Sequence, residues 1–499
     1  MEEVPGKTCL TNILVRELAD FRITASPLAP GFRLEDLLSE INDCRVVKEN
    51  SRRQVYCLQT AHGGYFLKRS SLVRAKDRLR HFLLPRRRWA EWRNLHRLRR
   101  ARIPAARPVA RGMSESSPHP SFFILTEAVP GTHIAFNSLS HARSLGEYAA
   151  FLHGSRVYHA DLNRRNLIAG LDGRLYLLDV QEAYFFAWLP RRLRIFNLGC
   201  LLFNFCSLDD PDQWARDFLA GYRRAAAQDV TTAEIVAAAR RRRDCRFRSR
   251  SKRCCRNSSE FEILSGRPLR GYKRRDFSWT PEQLRAAQQA GQVVKPERVF
   301  AYQGVCLKRQ RKKLLHRDRC LASWKMSQAL RVRGFNVPRA LGYFAERGRR
   351  YFLNEFLVDS VHLNDYLSAL TGAAAKRRSL KTLAAWLRRF HDAGIWQRDF
   401  KSNNILCCNG EFFMIDLDGV RIRRLTERDR ITNLAQLNAS LSNAVTIRDR
   451  LRFYQYYASL SSPSRRLRRK HYQEIWNISK TKSTAGYGLA LDKFEICRD

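Results

Sequence analysis

Apolar and polar positions alternate in the same order in each half of the chain. In the first half, residues 55–59 and 65–68 are short β-like runs flanking His62-Gly63-Gly64, a hairpin signal. From Trp89 the spacing turns helical, with Trp92, Leu95 and Leu98 on one face. Residues 121–125 form another strand candidate before Thr126-Glu127-Ala128. The second half repeats this order: a strand at 305–308, a helix near 321–330, then a strand at 351–353 before Asn354-Glu355-Phe356. Strands first and helices after predict an α+β fold with two lobes per domain.

The halves also share longer motifs. V-Y-H-A-D-L-N-R-R-N-L-I (157–168) matches I-W-Q-R-D-F-K-S-N-N-I-L (395–406), and L-Y-L-L-D-V (175–180) matches F-F-M-I-D-L (412–417). R-I-x-N-L-x-x-L then occurs at 194–201 and 430–437. The offset is 238 residues from Asp161 to Asp399, 237 from Asp179 to Asp416 and 236 from Asn197 to Asn433. So steady an offset implies duplication of a whole domain. The expected organisation is an N-terminal extension at 1–30, domains at 31–239 and 258–485, a basic linker at 240–257 and a tail at 486–499. The linker is rich in Arg, Lys, Ser and Cys with almost no large apolar residue, which reads as an exposed connection; a nucleic-acid-binding arm is the sharper alternative.

Composition fits two cores: 499 residues, of which 44% are hydrophobic, exceed what one core organises. Charge is the unusual quantity. Lys and Arg number 92 against 47 acids, a net of +45, which attracts polyanions such as nucleic acid, an anionic membrane face or a phosphorylated glycolipid. Nucleic acid is disfavoured because few aromatic residues interleave with the basic runs. The opening Met1-Glu2-Glu3 lacks a signal-peptide pattern, and the most apolar later stretch, 197–208, is too short to span a bilayer. The thirteen Cys have no metal-ligand spacing and read as reduced thiols of a cytoplasmic protein.

The order of charged residues, repeated in both halves, points to phosphoryl transfer, which needs a cation on the phosphates, bridging metal ions and a carboxylate for the acceptor hydroxyl. In the first half Lys68 ends an apolar strand and Glu91 lies on the next helix, where it is the expected partner of that lysine. Asp161 is the candidate proton acceptor. Asn166, five residues on, and Asp179, after an apolar strand, are candidate Mg²⁺ ligands. His159 would brace the loop. Lys308, Asp399, Asn404 and Asp416 take the same roles in the second half. There Ser323 stands where Glu91 does, Asp318 is the one acid between Lys308 and Pro338, and Gln397 replaces the loop His. Neither half has G-x-G-x-x-G, D-F-G or A-P-E. The expected phosphate turn of the first half is Glu49-Asn50-Ser51-Arg52-Arg53, with Arg standing in for backbone N–H donors.

R-R-Q-V-Y-C-L (52–58), G-Y-F-L-K-R (64–69), A-E-W-R-N-L (90–95), I-P-A-A-R-P-V-A (103–110) and H-A-D-L-N-R-R-N-L-I (159–168) resemble the lipopolysaccharide kinase family of core heptose and Kdo kinases. Q-R-D-F-K-S-N-N-I-L (397–406) and I-D-L-D (415–418) are similar in the second half. The resemblance covers about residues 30–225 and 290–460. It implies two tandem bilobal protein-kinase-like domains and ATP- and Mg²⁺-dependent phosphorylation of heptose or Kdo hydroxyls. The acceptor would be lipopolysaccharide inner core at the cytoplasmic face of the inner membrane, with the basic surface held electrostatically to anionic lipid. Other readings remain: a different small-molecule kinase, a protein kinase, or a second half serving as a pseudokinase scaffold.

Overall fold

The computed structural model describes residues 21–50, 53–73, 88–114, 120–207, 211–226, 230–266, 268–312, 316–460 and 464–482, together with Leu18 and Leu83. The chain divides into two compact units, Met1–Asp244 and Cys245–Asp499. Each has a sheet lobe followed by a helical lobe.

In the first unit the described residues form an antiparallel sheet in the order Arg22–Ala25, Pro108–Ser114, Ser121–Glu127, Gly63–Ser71, Arg53–Thr60 and Ile41–Asn50. The hairpin at His62-Gly63-Gly64 forms as its sequence predicts, joining Arg53–Thr60 to Gly63–Ser71 with Gly63 at φ 145°. Arg22–Ala25 lies within the expected extension yet pairs along Pro108–Ser114, so part of that segment belongs to the sheet. Leu58, Leu67, Phe123 and Leu125 form its buried face. Glu91 rides on the helix Ala90–Arg100, whose Trp92, Leu95 and Leu98 face inward as the spacing predicts.

The sheet of the second unit runs Phe261–Leu264, Arg270–Arg274, Ala340–Glu346, Arg349–Glu355, Val305–Arg311, Val299–Tyr302 and Gln292–Lys295. Its strand Val305–Arg311 sets Lys308 opposite Phe352, as Gly63–Ser71 sets Lys68 opposite Ile124. After the sheet lobe, each unit places its motifs on two small sheets that support the loops. Val157–His159 pairs with Ala183–Phe185, and Ile395–Gln397 with Val420–Ile422. Leu167–Gly170 pairs with Leu175–Leu177, and Ile405–Cys408 with Glu411–Met414.

The stretch expected to be an exposed linker is mostly helix: Thr232–Ser251 is continuous, followed by the 3-10 turn Lys252–Cys255, in which Cys254 is buried. The reading as a connection relied on missing apolar residues. Arg is a good helix former, and residues 240–251 contain neither Gly nor Pro, so low hydrophobicity there does not break the helix.

Each helical lobe encloses a neutral imidazole between the same two helices. His153, on Ala142–Gly154, hydrogen-bonds the hydroxyl of Tyr222 on Asp212–Ala226 at 3.1 Å. His391, on Ala373–Asp392, does the same with Tyr457 on Ile447–Ser459 at 2.7 Å. Burial holds both pKa values down to about 3. The unfolded chain takes up these protons near pH 6.5 and the folded chain only near 3, so stability falls as pH drops through that window. Each histidine should cost roughly 2 kcal/mol between pH 7 and pH 5. Urea unfolding at both pH values should show this loss, and His153→Gln should reduce it by that one histidine's share. An unchanged pH slope in the variant would contradict this account.

Candidate active site

In the first unit, the strand carrying Lys68 and the helix carrying Glu91 face each other across the sheet lobe. Lys68 Nζ is hydrogen-bonded to Glu91 Oε1, and Asp179 Oδ1 lies 3.9 Å from the same ammonium. Arg53 adds a second cation, its Nη2 3.4 Å from Asp179 and 3.5 Å from Glu91. By sequence the turn ending at Arg53 is the expected phosphate turn. Ser51 and Arg52 lie outside the described residues, and Arg53 itself reaches the two carboxylates. Glu91 is buried, so its charge depends on these partners.

Asp161 follows the strand Val157–His159. Asn166 Nδ2 donates to the Asp161 carbonyl at 2.9 Å, which folds the five-residue loop back on itself. Asp179 adopts a left-handed conformation, φ 49° and ψ 51°, and so leaves its strand sharply. His159 Nε2 donates to the Asp179 carbonyl at 3.3 Å, which fixes the proton on that nitrogen. Burial lowers the His159 pKa, in keeping with a neutral ring.

The residue that organises this loop carries no charge. Asn197, fully buried on the helix Arg191–Phe205, donates through Nδ2 to the His159 carbonyl at 2.7 Å and accepts from the His159 N–H at 3.3 Å. Asn433, on Glu427–Ser440, does the same for Gln397 at 2.7 and 3.3 Å. The sequence matched these two asparagines through their shared motif without giving them a task.

The second unit repeats the loop with other partners. Asn404 Nδ2 donates to the Asp399 carbonyl at 2.9 Å, Gln397 Nε2 donates to the Asp416 carbonyl at 2.8 Å, and Asp416 is again left-handed at φ 58°. Gln397 thus takes the place of His159. The missing helix carboxylate is not restored by Asp318. That residue caps the helix Arg319–Val332 by accepting from the Leu321 N–H, and it bonds Tyr343 at 2.7 Å and Arg350 at 3.3 Å. Lys308 turns to Asp416 instead, at 3.5 Å. Asp418, half-buried two residues on, pairs with Arg319 at 3.4 Å, and partial burial together with Asp416 raises its pKa.

Lys308, Asp399, Asn404, Asp416 and Asp418 line one cleft of about 1110 Å³, together with Cys306, Phe352, Phe356 and Leu357. The cleft therefore combines an apolar wall, a lysine and a set of oxygen donors. Asn166 and Asn404 each spend their amide nitrogen on a loop carbonyl, which leaves an oxygen as the remaining polar atom. With Asp179 and Asp416, these are hard oxygen donors of the kind Mg²⁺ takes. Among the described residues no cluster of three or more His, Cys, Asp or Glu is arranged to hold a metal, so a bound ion would draw on amide oxygens and substrate phosphates as well.

The model of the Lipopolysaccharide kinase (Kdo/WaaP) family matches residues 41–222 and 297–457, more than half of the chain and once in each unit. The chain belongs to that family: it is a kinase of protein-kinase-like fold acting on lipopolysaccharide sugars. No curated protein matches it. Among solved structures, aminoglycoside-3'-phosphotransferase of type VIII is 18% identical over 40% of this chain and 91% of that chain, with a TM-score of 0.29, too slight a likeness to support any argument. No helix among the described residues is long and apolar enough to cross a membrane.

Removing one partner of a buried ion pair costs about 3–5 kcal/mol. Lys68→Met should cost less than that, because Arg53 stays beside Glu91. Adding Arg53→Gln should bring the loss into the full range. Urea unfolding measures both variants, and a double variant as stable as the single one would count against this pairing.

Proposed function

We propose that each half transfers the γ-phosphoryl group of ATP to a sugar hydroxyl, heptose or Kdo, of the lipopolysaccharide inner core. One observation carries this reading: in both units a strand lysine lies within 4 Å of the aspartate that follows the loop, while an asparagine ties down the loop bearing a second aspartate. Lys68 and Lys308 would hold the phosphates, with Glu91 fixing Lys68. Asp161 and Asp399 would orient the acceptor hydroxyl and take its proton. Asn166 with Asp179, and Asn404 with Asp416, would hold Mg²⁺, which when bound neutralises charge on the phosphates. Asp161, Asp399 and their loops do the remaining work: they place a hydroxyl in line with the phosphorus and receive one proton.

The net charge of +45 supports a place for this reaction. Each Lys or Arg near an anionic leaflet contributes roughly 1 kcal/mol, fading over about 8 Å at physiological salt. A few such residues would hold the enzyme at the cytoplasmic face of the inner membrane, where a core glycolipid is presented. A second reading makes the second half a scaffold. It is favoured by the missing counterpart of Glu91 and opposed by the retention of Lys308, Asp399, Asn404 and Asp416 in one cleft.

Transfer from labelled ATP to dephosphorylated lipopolysaccharide core tests these readings with the unmutated chain, Asp161→Ala, Asp399→Ala and the double variant. Each single variant should lose the share of its own half. The double variant should fall by about 10² to 10⁴. An unmutated chain that binds the core and labels nothing would remove the kinase assignment of these residues. Full activity in Asp399→Ala would make the second half the scaffold.

A further inference from the structure

The two candidate catalytic carboxylates each meet a cation, but the cations come from different places. In the second unit Lys401, two residues after Asp399, puts Nζ 3.1 Å from Asp399 Oδ2. The matching position in the first unit is Asn163, which has no charge to offer. Its side chain instead accepts from the Arg165 N–H at 2.8 Å and donates to the Asp161 carbonyl at 3.1 Å. Asp161 is nevertheless paired: Arg242 Nη2 lies 3.2 Å from its Oδ1, 81 residues further along the chain.

Two features hold Arg242 there. The helix Thr232–Ser251 crosses Arg191–Phe205 at Gly199, where an added Cβ would lie 2.6 Å from Ala238 Cβ and 2.9 Å from backbone atoms of Ala238 and Ala239. Glycine therefore permits the close crossing, and Arg242 is one helical turn beyond Ala238 on the same face. The guanidinium lies over the Phe196 ring, 5.7 Å from its centroid, which limits its directions. Its charge also acts on the neighbouring Cys200 and Tyr158, opposing the rise that burial gives both pKa values.

We propose that Arg242 is a positioning residue of the first site, supplying from a distant helix the cation that Lys401 supplies locally in the second. This inference rests on the kinase reading of Asp161. In the transfer, the acceptor O–H bond breaks and its proton passes to Asp161. The acceptor oxygen forms the new bond to phosphorus, and the bond from phosphorus to the bridging oxygen breaks, so that ADP leaves with the electron pair. The guanidinium holds the receiving carboxylate in one orientation while charge shifts across the phosphoryl oxygens. A chain that folds this way can lose the lysine of the loop because a helix brings an arginine to the same carboxylate.

The test uses the full chain carrying Asp399→Asn, so that labelled transfer to the core glycolipid reports the first site. Arg242→Gln, which retains much of the stem over Phe196, should lower kcat roughly ten- to a hundred-fold, within what the proton acceptor itself contributes. The KM for ATP should change little. Adding Asn163→Lys should restore most of the lost kcat, because the charge returns from the position it occupies in the second unit. The equivalent turn accepts lysine there with no side-chain cap. Unchanged or increased kcat in Arg242→Gln, failure of Asn163→Lys to restore it, or no transfer left in the Asp399→Asn parent would each overturn the proposal. The unmutated chain's own transfer judges the kinase reading separately.

Discussion

Both sites depend on one buried amide. Asn197 and Asn433 are fully buried, and each uses its carboxamide on the two backbone groups of a single residue two positions before the candidate proton acceptor. Burying an amide without partners costs about 1–3 kcal/mol, so the core can hold this side chain only when the loop folds onto it. The loop in turn sends His159 or Gln397 across to the carbonyl of Asp179 or Asp416. That aspartate turns out of its strand in a left-handed conformation that an L-residue adopts at some cost. A chain of uncharged hydrogen bonds thus fixes where two carboxylates point. The charges need not settle their own geometry against mutual repulsion.

With the backbone fixed, each half balances its lysine differently. The first surrounds Lys68 with Glu91 and Asp179 and adds Arg53, giving two cations and two carboxylates. The second has no helix carboxylate and presents Lys308 to Asp416, with Asp418 and Arg319 forming a further pair beside it. Both arrangements leave a lysine near an aspartate at the mouth of a loop. The two halves share the backbone device and differ in the charges around it.

The parts legible in the sequence were those spaced locally or repeated. The hairpin at Gly63-Gly64, the inward face of Trp92, Leu95 and Leu98, and the asparagine five residues after each aspartate follow from short-range periodicity and turn chemistry. The steady offset between halves marked Asn197 and Asn433, but no property of a neutral amide announces that it will be buried against a backbone. Arg242 was invisible for a different reason. Its partner lies 81 residues away, and its surroundings read as an exposed linker because they lack large apolar residues, although arginine is a good helix former. Asp318 misled because a lone acid near a helix start serves as well for capping as for pairing with a lysine.

The central claim is that both halves retain a working nucleotide site despite their different charges. Calorimetric titration of the full chain with a non-hydrolysable ATP analogue and Mg²⁺ tests it most directly. The account predicts two nucleotides bound per chain, falling to one in Lys68→Met and to one in Lys308→Met. A stoichiometry of one in the unmutated chain, unchanged by Lys308→Met, would contradict it and leave the second half as a fold without its chemistry.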